Sequence, residues 1–159
     1  MAEEEATGTT FREVYDFFLA GVTDDMFMEL TREDTEAMLE EILYAALPHF
    51  EFPRFSVDET ADGRFSQVLT LEEKMIIRQY MISEWIGYQL ASVENVRQKY
   101  SSSDFAFTSQ ATHMTKLLGM KQHYETEGFK LQRLYCRRRK SLDGGYISSM
   151  GKIMQKPKE

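Results

Sequence analysis

Three histidines, one cysteine and a few adjacent glutamates are the residues of this 159-residue chain that acid–base, metal or nucleophilic chemistry would need. His113 and His123 are ten positions apart, outside the i,i+4 spacing that sets two zinc ligands on one helix face, and His49 stands far from both. No HExxH occurs, and a lone cysteine excludes any CxxC, so no metal is expected. Cys136 adjoins Arg137–Arg139, but a nucleophile needs a positioned base and none is indicated; a small side chain on a helix face is the plainer reading. Glu40–Glu41 and Glu72–Glu73 are sequence neighbours, which point in different directions on a helix and make poor acid–base pairs. A GxxxxGK[ST] loop, a GxGxxG turn and a GxSxG elbow are all missing from the sequence. The expectation is a protein without cofactor that binds or builds and is not an enzyme.

The basic run Arg137, Arg138, Arg139, Lys140 is of a size that can meet phosphate. It lacks a helix–turn–helix companion, and cations at a helix end commonly complement the helix dipole. Its setting is a polar charge distribution. Residues 1–62 carry seventeen acidic against three basic side chains, residues 63–136 seven against nine, and residues 137–159 two against seven, within an overall net charge of −7. An acidic head and a basic tail read either as solvated faces or as complementary surfaces for assembly. Generic DNA affinity is opposed by the acidic body, since phosphate repels carboxylate.

The elements that must carry these residues read as helices. Thr10 with Glu13 forms a capping box for a helix over 11–20, with Phe11, Val14, Tyr15, Phe18 and Leu19 as its apolar side and Gly21 at its end. Thr31 opens a second helix, with Ala37, Met38, Ile42, Ala45 and Ala46 near helical spacing and Leu39 and Leu43 beside them, stopped by Pro48. Residues 48–69 hold two prolines, four phenylalanines and an Asp62–Gly63 turn; such aromatics are expected to plug a core edge. Thr70 with Glu73 caps the strongest helix, whose wide face of Leu71, Met75, Ile76, Met81, Ile82, Trp85, Ile86 and Leu90, with Ile77, Tyr80 and Tyr88, implies more than one neighbour. It is expected to run to about Ser92, with a broken stretch over 93–103. A last helix is expected from about Ser109 to Arg138, on Met114, Leu117, Leu118, Tyr124, Leu131, Leu134 and Tyr135, interrupted at Gly119 and Gly128.

The fold class is therefore all-α: a small bundle of about four helices, an aromatic loop at 48–69 and an extended C-terminal arm. Residues 1–9 are a flexible acidic N-terminus, 10–139 the helical domain and 140–159 the arm. In that arm Tyr146, Ile147, Met150, Ile153 and Met154 supply apolar anchors that a pure linker would not need. No apolar run approaches the ~20 residues of a membrane span, the N-terminus lacks the apolar core of a secretory signal, and one cysteine fits a reducing compartment.

The segments LTLEEKMIIRQYMISEW, SSDFAFTSQATHMTKL and LYCRRR, in their order within residues 11–139, resemble the neck adaptor (head–tail connector, head-completion) proteins of tailed bacteriophages with Gram-positive hosts. The resemblance implies a structural virion protein, assembled in the host cytoplasm and resident in the neck. Its partners would be the portal protein, other copies of itself in a ring of about twelve, and a further neck or tail-completion protein, with no membrane involved. Genomic DNA would pass through the channel without sequence-specific binding. It also implies a portal-docking arm, for which Arg137, Arg138, Arg139, Lys140, Tyr146, Ile147, Met150, Ile153 and Met154 are the candidates. The alternative is a small helical nucleic-acid-binding regulator that uses the same basic tail.

Overall fold

A computed structural model describes residues 8–22, 30–57, 60–99, 104–140 and 146–148. Within them the chain forms α1 (Phe11–Leu19), α2 (Arg32–Ala46), a 3-10 turn (Leu47–His49), a two-residue hairpin of β1 (Thr60–Ala61) and β2 (Arg64–Phe65), α3 (Leu71–Lys99), α4 (Asp104–Arg137), and a second hairpin of β3 (Arg138–Lys140) and β4 (Tyr146–Ser148). The class is all-α: among the described residues there are four helices and two small antiparallel pairs.

Each of the first three helices starts where a threonine can cap it. The Thr10 and Thr31 hydroxyls accept the N–H of Glu13 and Asp34, each at 3.2 Å. At α3 the box is reciprocal: the Thr70 hydroxyl accepts the Glu73 N–H at 3.3 Å, while Glu73 Oε2 accepts the Thr70 N–H at 2.7 Å. Thr9, which the sequence places in the frayed N-terminus, is buried; it exchanges backbone hydrogen bonds with Phe65 and Gln67, and its hydroxyl accepts the Leu69 N–H at 2.8 Å.

The first hairpin turns on Asp62 and Gly63, both at positive φ (52° and 69°), as a two-residue loop of a right-twisted hairpin requires. Its purpose in packing is to drive Phe65 inward. Phe65 meets Phe11 and Phe55 edge-on, and Phe55 and Tyr135 flank Phe50 in the same manner, at centroid distances of 5.1–5.7 Å. Three of the four loop phenylalanines thus close the core edge, while Phe52 stays exposed.

α3 packs against α1, α2 and α4, as its wide apolar face implies. α3 and α4 run antiparallel in a strict register. Glu73 meets Tyr135, Tyr80 meets Gly128, Ser83 meets Glu125 and Gly87 meets Lys121, each step forward along α3 matched by an equal step back along α4. The seam positions 73, 80 and 87 face 135, 128 and 121, a heptad on both sides.

Several expectations are corrected. α3 does not break at Ser92 but continues through Lys99, because Val93–Lys99 contain neither glycine nor proline; α4 starts at Asp104, five residues before the expected Ser109. Gly119 and Gly128 do not interrupt α4. The buried stripe of α2 is Leu39, Ile42, Leu43 and Ala46, with Ala37 outside, a rotation of the expected face. Leu71, Tyr88, Leu118 and Leu134 are exposed, because they sit at the margins of faces that turn away from the core.

Candidate functional site: the C-terminal hairpin and its anchor

Arg137 ends α4 and is exposed; Arg138, Arg139 and Lys140 form β3. Arg139 lies opposite Ile147 and Lys140 opposite Tyr146, so five of the nine candidate residues are gathered on one hairpin next to Arg137. Met150, Ile153 and Met154 lie outside the described residues. The register also sets Ser148 opposite Arg138, so the chain doubles back to the place where it left the bundle.

That place is held by a network on three elements. Tyr135, buried in the last full turn of α4, donates its hydroxyl to Glu73 and accepts the backbone N–H of Arg54 at 3.0 Å. Glu73 is buried too, and both of its oxygens are satisfied, one by Tyr135 and one by the capping threonine. The Arg54 guanidinium lies 4.1 Å from the centroid of the Tyr135 ring and donates to the carbonyls of Tyr135 (2.6 Å) and Arg138. Next to it the buried Gln132 accepts the Glu51 N–H at 2.9 Å, and the Arg138 side chain pairs with Glu72 at 2.8 Å. Burial first, and the Glu73 carboxylate second, push the Tyr135 phenol well above its ordinary value, which keeps it a neutral donor.

The sequence located the basic residues and, through the capping box, Glu73. It did not disclose Arg54 or Gln132. Both act across 81 residues of chain, and neither belongs to a periodic pattern; the only signal was a loop dense in aromatic residues ahead of the long helices.

The remaining histidines and the cysteine lie apart from one another. His49 lies on the Tyr80 ring (centroids 5.3 Å apart) and pairs with Glu84 at 3.0 Å on the flank of α3. Lys121 joins Glu125 at 2.9 Å and Ser83 at 3.1 Å nearby; the Lys121 ammonium holds the Glu125 carboxyl below the usual range. His113 and His123 are exposed on α4, and Cys136 is exposed as well. Among the described residues no three metal-ligating side chains come together. A cleft of about 350 Å³ between α1 and α2, lined by Arg12, Tyr15, Asp16, Arg32 and Glu36 among others, has its Arg32 already paired with Glu36 at 3.0 Å. Among the described residues no helix is long and apolar enough to cross a membrane.

No protein-family model matches the chain, and no match is found among curated proteins or solved structures.

Proposed function

We propose that the chain is a structural assembly protein, a neck adaptor of a tailed bacteriophage that docks on the portal through its C-terminal segment. In this reading it is not an enzyme; about twelve copies form a ring beneath the portal, receive a further neck protein, and continue the channel through which genomic DNA passes. The observation that supports the reading best is the anchored hairpin. A segment whose sequence combines Arg137–Lys140 with Tyr146 and Ile147 leaves the bundle from a fixed point, and its charge is opposite to that of the first third of the chain. Pre-ordering a docking segment lowers the entropy lost on association.

The test is co-sedimentation of the full chain, and of a chain ending at Lys140, with the portal protein encoded in the same genome. The full chain is expected to sediment with the portal and to appear as a ring by electron microscopy, and the shortened chain to stay in the supernatant. Undiminished binding by the shortened chain removes the arm's role. Absence of any portal binding, together with a mobility shift on duplex DNA that falls steeply with salt, replaces the adaptor with the nucleic-acid regulator.

A further inference from the structure

We propose that Arg54 is the positioning residue that fixes where α4 ends and the direction in which the rest of the chain leaves the bundle. The inference concerns the free chain and goes beyond the docking reading, which can fail without it.

The sequence around the end of α4 contains no stop. From Leu134 to Leu142 there is neither glycine nor proline, and the first break in the pattern is Asp143–Gly144–Gly145. Intrinsic preference would therefore carry the helix through the arginine run, since Arg and Lys are good helix formers. The helix stops at Arg137 nonetheless and becomes a strand at Arg138. The last carbonyls of any helix lack partners within it and need donors from elsewhere. Arg54 supplies one such donor. One nitrogen of its guanidinium donates to the carbonyl of Tyr135, inside the last turn, and to that of Arg138, the first strand residue. The two carbonyls so bridged are three residues apart and straddle the transition.

Three further contacts make Arg54 a fixed point. Its guanidinium lies over the Tyr135 ring, and its own backbone N–H donates to the Tyr135 hydroxyl. Three residues earlier in its loop, across Phe52 and Pro53, the Glu51 N–H is held by Gln132, one turn back along α4. The same Arg138 whose carbonyl Arg54 holds is fastened through its side chain to Glu72, in the first turn of α3. Arg138 is thus gripped at both ends by groups from two different elements. Because Ser148 pairs with Arg138, the chain after the hairpin also starts from this grip. A planar guanidinium can stack and fork at once; a lysine ammonium keeps the charge but can do neither together.

The experiment is amide hydrogen exchange on the full chain as wild type, Arg54→Ala and Arg54→Lys. Exchange over 138–140 and 146–148 is expected to quicken roughly ten-fold in both variants, the equivalent of about one net hydrogen bond, while Ile76–Ile86 keeps wild-type protection. The lysine variant separates positioning from simple charge at a helix end. Unchanged hairpin exchange in both variants overturns the proposal, and so does wild-type protection in Arg54→Lys. A uniform loss of protection along α3 and α4 also overturns it, since Arg54 would then be one more stabilising contact. Should Arg54→Ala fail to fold, Arg54→Lys decides alone by the same readings.

Discussion

Tyrosine burial makes a pH-dependent statement that single residues can be asked to obey. Tyr15 and Tyr135 are buried, and in both burial is the leading cause that pushes the phenol upward; Glu40 adds to it at Tyr15 and Glu73 at Tyr135. Tyr80, between His49 and Gly128, shifts the same way by burial, with Glu51 next. A phenol whose native pKa lies above its unfolded value of about 10 stabilises the fold fully below that value, and the contribution is lost as pH rises through the native one. Stability should therefore hold to about pH 10 and fall above it. The test is an alkaline titration followed at 295 nm alongside helical circular dichroism. Tyr15, Tyr80 and Tyr135 should ionise only at higher pH, in step with its loss. A single reversible step for every tyrosine, with helicity preserved, would contradict the buried network.

At the scale of elements the two glycines of α4 separate by what faces them. A Cβ on Gly128 would stand 3.1 Å from the Tyr80 ring, which cannot retreat because His49 is stacked on it. A Cβ on Gly119 would meet nothing within 4 Å. Alanine gains up to ~1 kcal/mol of helix propensity at either site, but at Gly128 it also brings an overpacking cost of about 1–3 kcal/mol. Gly119→Ala should raise the urea midpoint and Gly128→Ala should lower it; equal shifts would show that the α3–α4 register is wrong. The sequence marked both glycines without distinguishing them, since the difference resides in a partner 48 residues away. The same division runs through the fold. Caps at Thr10, Thr31 and Thr70 were legible because capping is local, with donor and acceptor three residues apart. Loop phenylalanines were legible as a core plug because burying an aromatic ring is strongly favourable. The end of α4 was legible only to within a residue, and its cause not at all, because Arg54 reaches it through space. Periodicity also misplaced the α2 stripe: with alanine at 37, 45 and 46, several rotations bury similar area, and packing against α3 chooses the one that buries Leu39 and Leu43.

The whole molecule is built unequally along its length. Twenty-nine residues of α3 extend about 43 Å and thirty-four of α4 about 51 Å, whereas α1 and α2 span about 14 and 22 Å. The two short helices described cannot span the full length of the two long ones. Among the described side chains the last buried position on α3 is Ile86 and the first on α4 is Leu117. Beyond those two residues no described side chain of either helix is buried, so the pair is held less firmly there than along Ile76–Ile86. Local opening follows burial, so protection should form a gradient and not a plateau. Amides of Ile76–Ile86 and of Gly128–Tyr135 should exchange only with global unfolding, with the full denaturant dependence of the urea transition. Amides near Ala91 and Ser92 on α3, and near Ala111 and Thr112 on α4, should exchange through smaller openings with a shallower dependence. The network that grips the hairpin sits at the firm end, with Tyr135 and Glu73 in the core. In the proposed docking role, strain applied by a partner would be carried into packed side chains at the end that does not open. Equal protection along both helices would mean that their far ends are covered by a contact between copies, and dilution should then restore the gradient.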